Sequence, residues 1–165
     1  MVRRVRFTLI SLTVGCLVLL LAAVAAARIV PQKGIMGINL EMKGTRVIDK
    51  KGEPDGERVV HNEILGRQRV LRYHKTKVGL NGPHRSNRVI GITTKDRRQR
   101  TRSGVGVGST EAEVKNGVQG IHCKTESGSR HCFKGRFKPG RRVTDFSISL
   151  PDHKVTRVAV AIVID

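Results

Sequence analysis

From Gly34 onward the chain states one local pattern twice: a glycine-marked opening, a short helical stretch, then runs of strand-like residues. The first unit opens Gly37-Ile38-Asn39-Leu40-Glu41-Met42 and continues into a helix over Thr45 to Lys50, with Val47 and Ile48 as its apolar points. Gly52-Glu53-Pro54-Asp55 ends that helix, because glycine terminates it and proline prevents its resumption. Strands are expected over Arg58 to Leu65, Gln68 to Leu80 and Asn87 to Thr94, with turns at Leu65-Gly66-Arg67 and Asn81-Gly82-Pro83.

The second unit opens Gly104-Val105-Gly106-Val107-Gly108-Ser109. Thr110 and Glu113 then have capping-box spacing, each able to satisfy a backbone N–H at a helix start. Strands follow over Gly120 to Glu126, Arg130 to Phe137, Val143 to Leu150 and Val155 to Ile164, the last two joined by a turn at Pro151-Asp152-His153-Lys154. Phe146, Ile148 and Leu150 share a face opposite Ser147 and Ser149, the alternation of a half-buried strand. Val158 to Ile164 is apolar on both faces, which suits a central or interfacial strand. The expected fold class is α+β: two repeats, each a short helical segment packed on antiparallel strands, after an N-terminal apolar helix. The corresponding division is 1–27 as signal peptide or anchor, 28–36 as linker, 37–101 as first repeat and 102–165 as second repeat with a disulfide hairpin.

Gly37-Ile38-x-Leu40-x-Met42, Val47 and Gly52-x-Pro54 resemble the helix-start signature of the SmpA/OmlA-type outer-membrane lipoprotein fold and of the tandem-repeat β-lactamase-inhibitory-protein fold. Gly106-Val107-Gly108-Ser109-Thr110-x-x-x-Val114, ending at Cys123, is similar to the second copy found in secreted proteins of actinobacterial type. The resemblance implies a short helical element on an antiparallel sheet, in a binding rather than a catalytic role. The chain departs from the pattern at Lys43-Gly44, where a Ser or Thr cap is expected, and in lacking a Gly-x-Pro stop in the second unit. Inhibition of a β-lactamase is not implied, since that contact face is aromatic-rich and aromatics make up 3% of this chain.

The N-terminus supplies an address. Arg3, Arg4 and Arg6 precede an apolar run from Phe7 to Ala27 that exits through Ala25-Ala26-Ala27, the form of a secretory signal peptide cut before Arg28. The run is also long enough to span a bilayer, for which roughly 20 apolar residues suffice, so an uncleaved anchor is the competing reading. Either places the remainder outside the cytoplasm, secreted or in the cell envelope, because the arginines hold the N-terminus inside. Cys16 reads as one more apolar residue of the run, since apolar residues continue well past it.

Two cysteines remain, Cys123 and Cys132. A two-residue loop at Ser127-Gly128 puts them directly opposite each other, with Lys124 facing His131 and Thr125 facing Arg130. Opposed β-carbons lie ~4.5–5.5 Å apart, within reach of a cystine, so a disulfide is expected. A metal site from His122-Cys123 and His131-Cys132 competes poorly, because strand neighbours point to opposite faces. No metal and no cofactor are expected.

The chain carries 32 basic and 13 acidic side chains, a formal net charge of +19, and no acidic residue precedes Glu41. Such a balance favours anionic surroundings. One dense segment holds Lys95, Arg97, Arg98, Arg100 and Arg102; a second holds Lys134, Arg136, Lys138, Arg141 and Arg142. These ten residues are the candidate contacts to an anionic envelope component or an acidic protein, with membrane contact also possible through residues 7–27; the plainer reading is a solvated linker and an exposed loop. Nucleic acid is not expected, given the export signal and the few aromatics available for stacking.

No catalytic residue is named. Ser109 follows Gly106-Val107-Gly108 but lacks the Gly-x-Ser-x-Gly frame, and its plainer role is to start a helix. Asp49, Glu53, Asp55 and Glu57 suit a solvated helix end better than an acid/base pair. The expected function is an exported, non-enzymatic, envelope-associated binding module; a hydrolase or other enzyme acting on envelope components is the alternative.

Overall fold

The computed structural model describes residues 29–164. The apolar run expected to form an N-terminal helix lies outside the described residues. Among those described, no helix is long and apolar enough to cross a membrane.

Among the described residues, eleven strands and two short helices follow one another. Strands β1 (Ile29–Val30), β2 (Gly34–Ile35) and β3 (Ile38–Asn39) form a small sheet of their own. Helix α1 (Gly44–Lys51) leads into β4 (Gly56–Asn62), β5 (Gly66–Tyr73), β6 (Thr76–Leu80) and β7 (Val89–Thr94). Helix α2 (Glu111–Gly117) leads into β8 (Ile121–Glu126), β9 (Ser129–Lys134), β10 (Arg142–Ile148) and β11 (Val155–Ile162). The last eight strands make one antiparallel sheet in the order β4-β5-β6-β7-β11-β10-β9-β8, so the two four-strand runs meet through their final strands.

The expected α+β class is therefore corrected to a predominantly β fold. The helix signals in the sequence mark real helix ends, yet the helices hold 8 and 7 residues. Helix α1 buries Gly44 and Val47, and α2 buries Val114, whereas the strands supply most of the core. The strand expected to run unbroken from Gln68 to Leu80 is two, because His74, at φ 54°, turns the chain between β5 and β6. Residues 29–36, in the stretch read as a linker, carry β1 and β2, with Ile29 and Ile35 fully buried.

Register explains how the core is arranged. One row crosses seven strands: Tyr73 opposite Thr76, Thr76 opposite Thr94, Thr94 opposite Val158, Val158 opposite Phe146, Phe146 opposite Cys132, and Cys132 opposite Cys123. Its members form the inner face, packed against Ile29, Ile35 and Ile38 of the small sheet and Val114 of α2. The two polar side chains inside the row, Thr76 and Thr94, satisfy each other by an Oγ1–Oγ1 hydrogen bond of 2.8 Å. The next row belongs to the outer face and carries Arg72, Lys77, Thr93, Ala159, Asp145, Phe133 and His122.

The capping box forms as expected. Glu113 N–H donates to Thr110 Oγ1 at 3.2 Å and Thr110 N–H donates to Glu113 Oε2 at 2.7 Å. Gly52, at φ 81°, ends α1, its N–H donating to the Ile48 carbonyl.

Candidate functional site

The hairpin that carries the cysteines is built by its turn. Ser127 and Gly128 have φ of 48° and 75°, the paired positive values of a type I′ turn, which matches the twist of the flanking strands. Cys123 and Cys132 are consequently opposite each other and joined as a disulfide. The Glu111 carboxylate comes within 4.8 Å of both sulfurs, but it is held by Arg130 and Lys115, and the sulfurs are bonded to each other. His122 and His131 project from the opposite face, as the strand alternation requires.

The first basic segment is a tightly bonded crossover. Asp96 is nearly buried and accepts from Arg98 N–H at 3.0 Å, from Arg98 Nε at 3.1 Å and from Arg98 Nη2 at 3.0 Å. These bonds to the guanidinium hold the Asp96 carboxyl down at about 2. Arg100 donates to the Arg97 and Gly104 carbonyls and to Ser109 Oγ, while its own carbonyl accepts the Ile29 N–H. Ser109 is buried, accepts also from Gly106 N–H, and so serves as a post for the glycine-rich loop. Lys95, Arg97 and Arg102 remain exposed.

The second segment forms the base and rim of a distinct feature. Lys138, Pro139, Gly140 and Arg141 make a turn closed by Arg141 N–H on the Lys138 carbonyl at 3.0 Å, with Gly140 at φ 73° as a type II turn requires. Gly140 N–H donates to the Val163 carbonyl and Val163 N–H to the Arg141 carbonyl, which ties the loop to the chain leaving β11. Gly135 is needed at the start, since a β-carbon there would sit 2.5 Å from the Arg142 carbonyl oxygen.

Two clefts flank the turn between β1 and β2. Gln32 lines the first, of ≈ 570 Å³, with Gly135, Arg136, Gly140, Arg141 and Arg142. Gln32 N–H donates to Thr144 Oγ1 at 2.6 Å and its Nε2 donates to the Arg142 carbonyl at 2.9 Å, so the turn and the loop hold each other. Pro31, Arg102 and Lys134 help line the second cleft, of ≈ 350 Å³. The structure thus brings together Arg102, Lys134, Arg136, Arg141 and Arg142 around residues 31–32, and leaves Lys95, Arg97, Arg98 and Arg100 apart. Arg142 pairs with Glu41. Among the described residues, Arg102, Lys134, Arg136, Lys138 and Arg141 have no carboxylate at ion-pair distance.

Phe137 extends this rim toward the outer face. Its ring meets Phe133 edge-on at 4.9 Å, and Lys124 Nζ lies 5.8 and 5.9 Å from the Phe133 and Phe137 centroids. The aromatic contact was not legible from the sequence, because the loop that folds Phe137 back onto β9 has no periodic pattern.

A second unread cluster lies on the outer face. His131 Nδ1 is 3.0 Å from Asp145 Oδ2, Ser147 Oγ donates to the same oxygen at 3.2 Å, and Arg157 donates to Ser147 Oγ at 3.1 and 3.2 Å. Among the described residues no hydrogen bond joins His131 to Ser147, so the hydroxyl proton is directed at the carboxylate and not at the imidazole. The pairing of β9 with β10 assembles this group, and that register has no short-range signal in the sequence. Elsewhere, Glu53 and Glu57 are engaged by Arg85, and Glu57 also by Arg69.

No protein-family model matches the sequence, and no curated protein matches it. Solved structures that are similar in part include the following two. One is an extracellular protein containing an SCP domain from Bacillus anthracis str. Ames, at 11% identity and a TM-score of 0.48 over 74% of this chain and 43% of that one. The other is a cysteine-rich secretory protein from Staphylococcus aureus subsp. aureus Mu50, at 14% identity and a TM-score of 0.47 over 80% of this chain and 47% of that one. The chain spans less than half the length of either structure.

Proposed function

We propose that the protein is an exported, non-enzymatic binding module that meets an anionic partner through the basic rim around residues 31–32. The observation that carries this reading is the gathering of Arg102, Lys134, Arg136 and Arg141 from two distant sequence segments around adjoining clefts, with no acidic partner for any of the four among the described residues. No acidic residue occurs between Glu126 and Asp145, so nothing in that stretch offsets the charge. Exposed unpaired guanidinium groups have their fork of donors free for phosphate or carboxylate oxygens. Export is supported by the arginine-led apolar run and by the disulfide, a bond that persists in oxidising compartments. Whether residues 1–27 are cleaved or kept as an anchor, this reading has the rim act outside the cytoplasm.

The test is binding of the full chain to soluble polyphosphate over a series of salt concentrations. Affinity should fall steeply with salt, because exposed charges are screened within ~8 Å at physiological ionic strength. The R136E/R141E variant should lose most of it. Salt-independent binding, or binding equal in wild type and variant, would refute the assignment of the rim.

A further inference from the structure

We infer that the anionic partner is a lipid surface, and that the loop from Gly135 to Arg141 docks on it with Phe137 entering the headgroup layer. This rests on the reading of the rim as an anion site and adds the class of partner.

The first observation is the exposure of an aromatic ring in the middle of the charge. Phe137 is 53% exposed, the one exposed aromatic among the large exposed hydrophobics of the described residues. Its sequence neighbours are Arg136 and Lys138, with Arg141 across the turn. A soluble polyanion is met by charge alone and leaves such a ring in water. An anionic bilayer takes both parts at once, the cations at phosphate level and the ring among the upper acyl carbons.

The second observation is preorganisation. The loop is closed by its own turn, tied to Val163 in both directions, and braced by the edge-on contact of Phe137 with Phe133. A loop already fixed loses little freedom on docking.

The third observation is position. Gln32 bonds into the base of the loop through the Arg142 carbonyl. In the sequence, the apolar run ends at Ala27, only five residues before Gln32. Extended chain advances at most ~3.6 Å per residue, so the five steps from Ala27 to Gln32 cover at most about 18 Å. Wherever that run meets a bilayer, the loop is held within reach of the same surface.

The chain has no tryptophan, so Phe137→Trp introduces a sole indole reporter. The full chain carrying it would be reconstituted in vesicles of phosphatidylcholine, alone or mixed with phosphatidylglycerol. Expected in the mixed vesicles are a blue-shifted emission and quenching by brominated lipid, both reversed by high salt and both lost when R136E/R141E is added. In wild-type chain, amide exchange over residues 135–141 should slow in the mixed vesicles and not in phosphatidylcholine, a readout that needs no substitution. A water-like indole in mixed vesicles, or equal burial in both kinds, overturns the lipid assignment. If that happens while polyphosphate is still bound through Arg136 and Arg141, the anion-binding reading survives; if polyphosphate binding is absent too, both fall.

Discussion

Asp96 Oδ2 lies 3.0 Å from Arg98 Nη2, and Asp96 Oδ1 accepts from both the Nε and the backbone N–H of the same arginine. A basic run that reads as a free linker is therefore stitched down by its own single acidic residue. Asp96 is buried to the point that its side chain is 9% exposed, so its charge depends on that guanidinium.

This pairing sets a pH dependence. Asp96 is lowered from 3.8 to about 2, by its hydrogen bonds to Arg98 first. Glu111 is lowered from 4.5 to about 2, by its hydrogen bonds to Arg130 and then Lys115. A carboxylate with a depressed folded-state pKa contributes stability above its unfolded value and loses it as pH falls through the folded one. Urea midpoints should hold from neutral pH to about 4.5 and then fall toward pH 2. Asp96→Asn should cost roughly 1–2 kcal/mol at pH 7 and flatten part of the acid limb; an unchanged limb would refute this coupling.

The basic segment should not respond uniformly to charge reversal. Arg98 and Arg100 bond Asp96, the Gly104 carbonyl and Ser109 Oγ, whereas Arg97 and Arg102 donate to nothing among the described residues. R98E/R100E should destabilise measurably, since it takes the guanidinium away from the nearly buried Asp96 and faces it with a like charge. R97E/R102E should stay within about 0.5 kcal/mol per site. Equal effects of the two pairs on thermal unfolding would contradict the bonding described.

What could be read beforehand follows the range of the signal. Thr110 with Glu113, and Ser127 with Gly128, act over three residues or fewer, and each forms the cap or turn that its chemistry demands. The facing of Cys123 and Cys132 follows from the turn by counting. The helix signals also placed helices correctly, but caps say where a helix ends and nothing of how much core it covers. His74 adopts positive φ without a glycine or proline to announce it, so the β5–β6 turn was missed. Arg102 and Lys134 share a cleft, and His131 meets Asp145, only through strand pairings and loop closures that no local pattern encodes.

The disulfide closes a loop with a sequence separation of 9. On the chain-entropy account such a loop stabilises by roughly 2–3 kcal/mol. Reduction should lower the unfolding free energy by that amount, read as a lower urea midpoint at unchanged slope, while the β-rich circular dichroism is retained at low denaturant. Alkylation of unreduced, exported protein should label neither Cys123 nor Cys132. Two labelled thiols would count against the bond.

The two phenylalanines 146 and 137 should part company under the same substitution. Phe146 is fully buried, flanked on β9 by Cys132 and on β11 by Val158, at the centre of the row that crosses the sheet. Truncation there leaves a cavity walled by neighbours that are themselves fixed in register, and cavities of this kind cost about 3–5 kcal/mol. Phe137 has one aromatic neighbour, Phe133, and an exposed face, so Phe137→Ala should cost about 1 kcal/mol or less. Urea unfolding of the two alanine variants against wild type measures both. A near-neutral Phe146→Ala would mean the core is not centred on the β9–β10–β11 seam. A Phe137→Ala as costly as Phe146→Ala would mean the loop ring is a core element, and its place at the surface would have to be explained by folding and not by contact with a partner.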